Sequence, residues 1–135
     1  ADAKLADSIE RLGVKTFLEF WQETPLIRSQ KEIPTKHRAF MQANRLKNTS
    51  AGLAKSLRQF GQGTAPNLWP EIGKLAMPAL LITGEKDTKY TSIAQRMQKV
   101  LPNASHVSIL NTSHMPHLEQ SDPVEKTIKA FIAEQ

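Results

Sequence analysis

The stretch PALLITGEKDTKY (residues 78–90) decides how this chain is read. Pro78 opens an apolar run, ALLIT, that stops at Gly84, and Asp87 follows a few residues on. Apolar residues at consecutive positions read as a strand buried on both faces, the parallel-sheet type. Working outward, SIAQRMQKVL (residues 92–101) carries Ile93, Met97, Val100 and Leu101 at helical spacing. HVSIL (residues 106–110) alternates Val107 and Ile109 and predicts a second strand. SDPVEKTIKAFIAEQ (residues 121–135) predicts a helix with Asp122 as cap and Pro123 at the first helical position. Val124, Ile128, Phe131 and Ile132 form its apolar stripe. Strand, helix, strand, helix predicts two parallel strands joined by a right-handed crossover.

Two strands make a marginal sheet in water, and both look like interior strands. The expectation is therefore an α/β protein of which this chain is the C-terminal part, with an open sheet edge. Upstream the period is helical. Leu5, Ile9 and Leu12 recur at helical spacing, Gly13 interrupts, and Val14, Phe17, Leu18 and Trp21 resume before Pro25. Thr35 is a candidate N-cap, as is Thr49 or Ser50 ahead of Leu53, Leu57 and Phe60 on one face. The glycine- and proline-rich GQGTAPN (residues 61–67) reads as a connection. These features divide the chain into a helical cap region, residues 1–65, and a core portion, residues 66–135.

The 135 residues are 39% hydrophobic and 23% charged, as expected of a globular chain. The absence of cysteine removes disulfide and thiolate chemistry and fits a reducing cytoplasm. No apolar run approaches the roughly 20 residues that span a bilayer, and the first residues lack the apolar core of a signal peptide. A net charge of +5 raises nucleic acid as a partner. The basic residues are scattered singly, however, and a single tyrosine leaves little for base stacking. A small anionic ligand suits scattered cations better.

Groups at the carboxyl ends of neighbouring parallel strands share one edge of the sheet. Asp87 follows the first strand and His114 the second, so the two side chains can meet. An aspartate that accepts from one imidazole nitrogen fixes the tautomer and leaves the other nitrogen to take a proton. Taken singly, such an aspartate is also a turn former or helix cap, and such a histidine a surface residue. Glu85 is a second candidate for the acid, although its position nearer the strand suits a structural partner better. His114 and His117 lie three apart, but Pro116 between them and the lack of a helix disfavour a zinc pair, so no metal is expected.

The segment from Pro78 to Val124 resembles the last third of an α/β-hydrolase fold: a strand, then G-E-x-D, a helix, a strand, and S/G-H-x-x-H-x-E followed by a proline. The narrower match is spread over the chain, in FLEFWQETPLIRSQ (residues 17–30), ANRLKNTSAGLAKSLRQFGQGTAPNLW (residues 43–69) and GEKDTKY (residues 84–90). These stretches are similar to the 2-succinyl-6-hydroxy-2,4-cyclohexadiene-1-carboxylate synthases of menaquinone biosynthesis. Departures are Ala65 for the usual glutamine, Asn67 for serine and Tyr90 for phenylalanine.

The resemblance implies that Asp87 and His114 are two members of a Ser–His–Asp triad whose serine lies upstream, since no G-x-S-x-G occurs here. It implies a lyase reaction that eliminates pyruvate from a succinylated cyclohexene carboxylate. Arg45, Trp21 and Lys89 are the implied substrate-binding residues; by themselves they also read as a solvated helix-end arginine, a tryptophan of the cap's own core and a partner of Glu85, and no cofactor is implied. It also implies that the chain alone is inactive and that its partner is the rest of the fold; the open edge of an unfinished sheet offers pairing with a second copy as the other partner. Two alternatives stand beside it: an esterase or C–C bond hydrolase on the same fold, and a non-catalytic binding or assembly fragment.

Overall fold

In the computed structural model, which describes residues 2–134, the apolar positions from Leu5 to Trp21 lie on α1 (Asp2–Trp21). Its backbone leaves helical geometry at Gly13, with φ 77° and ψ 161°. That conformation is essentially reserved for glycine, and a side chain there costs about 1–3 kcal/mol. A Cβ at Gly13 would meet nothing within 4 Å, so the constraint is torsional and not spatial.

Ile9, Phe17 and Leu18 are buried, with Leu5, Val14, Trp21, Leu53 and Leu57 packed around them. Burying each such side chain contributes up to about 1.5–3 kcal/mol. Leu53 and Leu57 come from α4 (Ser50–Phe60), whose N-cap is Thr49; its hydroxyl accepts from the Gly52 N–H at 3.1 Å. Phe60 shares the expected stripe and stands in the last turn of α4, but is 84% exposed. The remaining helices of this unit are α2 (Pro25–Arg28) and α3 (Thr35–Leu46). Thr35 is the first helical residue of α3 and not a residue preceding it.

These helices form one compact unit, which takes the chain up to Arg28 together with Thr35–Asn67. The other takes Ser29–Pro34 and the chain from Leu68 onward. In it, α5 (Trp69–Ile72) leads to β1 (Ala79–Gly84), α6 (Thr88–Gln98), β2 (Ala104–Ile109), α7 (Pro116–Glu119) and α8 (Ser121–Ala133). The strands are parallel and pair in register from Ala79–Ala104 to Gly84–Ile109. Helices α6 and α8 both pack on them. The guanidinium of Arg96 lies 4.7 Å from the Trp69 ring centroid and ties α6 to α5.

Two expectations are corrected here. Helix α8 starts at Ser121 after Gln120, which makes no side-chain cap, so Asp122 and Pro123 sit inside its first turn. Proline is tolerated there because first-turn N–H groups have no helical partner in any case. Along β1 only Thr83 and Gly84 are buried; Leu80, Leu81 and Ile82 are half-covered by this unit. Among the described residues no helix is long and apolar enough to cross a membrane.

Candidate active site

Asp87 follows the glycine that ends β1 and caps α6. Its Oδ1 accepts from the Tyr90 N–H at 3.2 Å. The other oxygen, Oδ2, lies 2.6 Å from His114 Nδ1. A carboxylate can only accept, so Nδ1 carries the proton, and in the neutral imidazole Nε2 holds the free lone pair. The cap reading and the relay reading of Asp87 thus describe one carboxylate, with one oxygen engaged in each. The first turn of α6 also favours a negative charge at this position. The Asp87 side chain is 7% exposed and that of His114 27%, so the pair is closed at the acid and open at the imidazole.

The loop that delivers His114 is fastened to the end of β1. Asn111 turns the chain at φ 58°, a conformation that asparagine tolerates. Its N–H donates to Glu85 Oε2 at 2.8 Å, and the Lys86 N–H donates to the Thr112 carbonyl at 2.9 Å. The Thr112 hydroxyl donates back to the Ile109 carbonyl at 2.9 Å. A Cβ on Gly84 would fall 2.0 Å from the Ser113 carbonyl oxygen and 2.6 Å from that of Thr112. Only glycine allows this approach of strand and loop.

Beyond the expected residues, the site includes Tyr90 and Glu119. The Tyr90 ring lies against the His114 imidazole, centroids 4.7 Å apart and planes at 52°. Lys89 places its ammonium 5.4 Å from the Tyr90 centroid; among the described residues it makes no ion pair with Glu85. Glu119 accepts from the Ser113 N–H at 2.6 Å and from the Met115 N–H at 3.1 Å. Sequence reasoning passed over both roles, although the glutamate five residues after His114 was a readable signal. Beside the pair is a cavity of about 320 Å³, lined by Leu81, Gly84, Asp87, Tyr90, Met97 and His114 among others.

Arg45 and Trp21 stand in the helical unit, where the guanidinium lies 5.0 Å from the indole centroid. Both line an apolar cavity of about 210 Å³ with Leu5, Ile9, Phe17 and Leu53. Partial burial lowers the pKa of Arg45 from its ordinary value. His117 is exposed, and no group of three metal-binding side chains occurs among the described residues.

No protein-family model matches the chain. The "Putative 2-succinyl-6-hydroxy-2,4-cyclohexadiene-1-carboxylate synthase" of Bacillus subtilis (strain 168) is 36% identical over 131 residues, 97% of this chain and 48% of that protein. Among solved structures, MenH from S. aureus superposes with a TM-score of 0.94 at 34% identity, over 98% of this chain and 50% of that one. The chain is the C-terminal part of an α/β-hydrolase fold. A thermophilic esterase from Thermogutta terrifontis shares this α/β-hydrolase architecture at 19% identity, with a TM-score of 0.80 over 98% of this chain and 48% of its own. The chain spans about half the length of the Bacillus protein and of the S. aureus chain. Within the α/β-hydrolase frame, the parallel strand ends account for the meeting of Asp87 and His114.

Proposed function

We propose that this chain supplies the acid–histidine part of a synthase site. The reaction is elimination of pyruvate to give 2-succinyl-6-hydroxy-2,4-cyclohexadiene-1-carboxylate, a step of menaquinone biosynthesis. The observation that carries the reading is the 2.6 Å contact between Asp87 Oδ2 and His114 Nδ1, beside an open cavity. Similarity to a protein named for this synthase over 97% of the chain supports the choice of reaction.

In the proposed mechanism, Asp87 orients His114 and stabilises its charged form. Nε2 of His114 then takes the proton of a serine hydroxyl supplied by the half of the fold outside these residues. The activated oxygen removes a ring proton, the ring C–O bond breaks, a second ring double bond forms, and the departing enolpyruvate takes up a proton to become pyruvate. The substrate carries several carboxylates. We assign one of them to Arg45, whose partly desolvated guanidinium gains from a bidentate anionic partner. Trp21 is its apolar wall, and Lys89 is a second cation for the substrate. Residues 1–65 have the role of cap and residues 66–135 that of core. The lack of cysteine supports a cytoplasmic setting.

The test is an assay of these residues together with the upstream half that the relatives carry. Pyruvate release from the cyclohexene substrate is expected. Turnover of p-nitrophenyl esters without pyruvate release would assign the site to an esterase instead, the reading that the shared architecture keeps in play.

A further inference from the structure

We propose that Glu119 is a positioning residue for His114, holding the imidazole against Asp87 by gripping the backbone on both sides of it. The inference rests on the reading of Asp87 and His114 as a relay and deepens it. Both carboxylate oxygens of Glu119 are engaged, Oε2 by the Ser113 N–H at 2.6 Å and Oε1 by the Met115 N–H at 3.1 Å. Those two amides flank His114, and neither has another acceptor among the described residues. Charge-assisted bonds of this kind are short and directional, so together they fix where the His114 backbone sits.

The other fasteners of the loop all act before His114. Glu85 holds Asn111, the Lys86 N–H holds the Thr112 carbonyl, and Gly84 packs on Thr112 and Ser113. On the far side the hold comes from Glu119. The single turn of α7 makes this possible: the Leu118 and Glu119 N–H groups both donate to the Met115 carbonyl, at 2.9 and 3.0 Å, and bring the side chain back to the loop. A displacement of about 1 Å at a reacting group costs on the order of 10²-fold in rate, so a grip confined to these two amides matters to the imidazole more than to the sheet.

The experiment uses the chain joined to the upstream half that its relatives carry, isotope-labelled in these 135 residues, and reads by NMR the far-downfield proton of His114 Nδ1 bonded to Asp87. Its loss in D87N assigns it. In E119Q, which leaves one acceptor oxygen for two N–H groups, the resonance is expected to broaden or vanish while the amide signals of β1 and β2 persist. E119D, with its carboxylate drawn back by one methylene, is expected to behave alike. E85Q, which disturbs only Asn111, is expected to retain the resonance. An unchanged His114 resonance in E119Q and E119D overturns the proposal. So does loss of the β1 and β2 signals in both variants, since Glu119 would then hold the fold and not the imidazole. If the parent chain shows no such resonance in an otherwise folded spectrum, the relay reading itself fails, and Glu119 has no imidazole to position.

Discussion

Asp87 divides its two oxygens between a helix cap and an imidazole, and this division makes its substitution informative. In Asp87→Asn, Oδ1 can still accept from Tyr90, so the start of α6 survives. The amide's other arm donates, which turns the imidazole to the wrong tautomer. The expected outcome in the assembled enzyme is a fall in kcat of about 10⁴-fold with little change in thermal midpoint, checked by pyruvate release and calorimetry. Gly84 acts differently. The obstacle to any side chain there is loop backbone, which cannot swing aside as a rotamer would. Gly84→Ala should lose about 1–3 kcal/mol in urea unfolding, and it should lose activity with it, because the displaced loop carries His114. The meeting of Asp87 and His114 was legible in the sequence because strand ends and chain order announce it. Gly84 was not legible as a site residue, and neither was the grip of Glu119, visible though that glutamate is five residues after His114, because both act on backbone atoms brought near only by the fold. The glycine was read as the end of a strand, and that is half of what it does.

Among the elements, α1 and α4 make the most extensive pairing in the helical unit. Their apolar faces were readable from spacing alone, as was the break at Gly13. The ionic clasp above them was not, since it joins residues about fifty apart. Arg58 on α4 donates to both oxygens of Glu10 at 2.7 Å and to Asp7 Oδ1 at 2.7 Å. The hydrogen bond from Arg58 holds the Glu10 carboxyl below its ordinary range, and the two carboxylates push Arg58 further up. Arg58 therefore stays charged across the working range, and Glu10 is the titrating partner. A depressed carboxyl contributes stability that is present above its unfolded pKa, about 4.3, and lost as pH falls through the folded value. Thermal melts of the parent chain and Arg58→Met should differ most near neutral pH and converge in acid. The difference at neutral pH should also shrink with added salt, because the pair is exposed. Equal differences at pH 7 and pH 3 would show that the arginine acts through its methylene packing alone.

For the whole molecule, the question is what 135 residues can do when their relatives are about twice as long. The relay ends at Nε2 of His114, which has no hydrogen-bond partner among the described residues, and β1 leaves three apolar side chains half-covered. On the proposed reading both features have the same complement: a neighbouring strand and a hydroxyl within reach of the imidazole. An imidazole without that hydroxyl can still accept a proton, but it lacks the activated oxygen and the donors that would steady the developing charge. The chain by itself should therefore release no pyruvate above the buffer rate. Mixing it with a separately produced upstream half of the fold should restore release, and the restored activity should vanish again in His114→Gln. Pyruvate release by the lone chain at a rate near that of the assembled enzyme would place a complete active site within these residues, with some base other than the supplied serine.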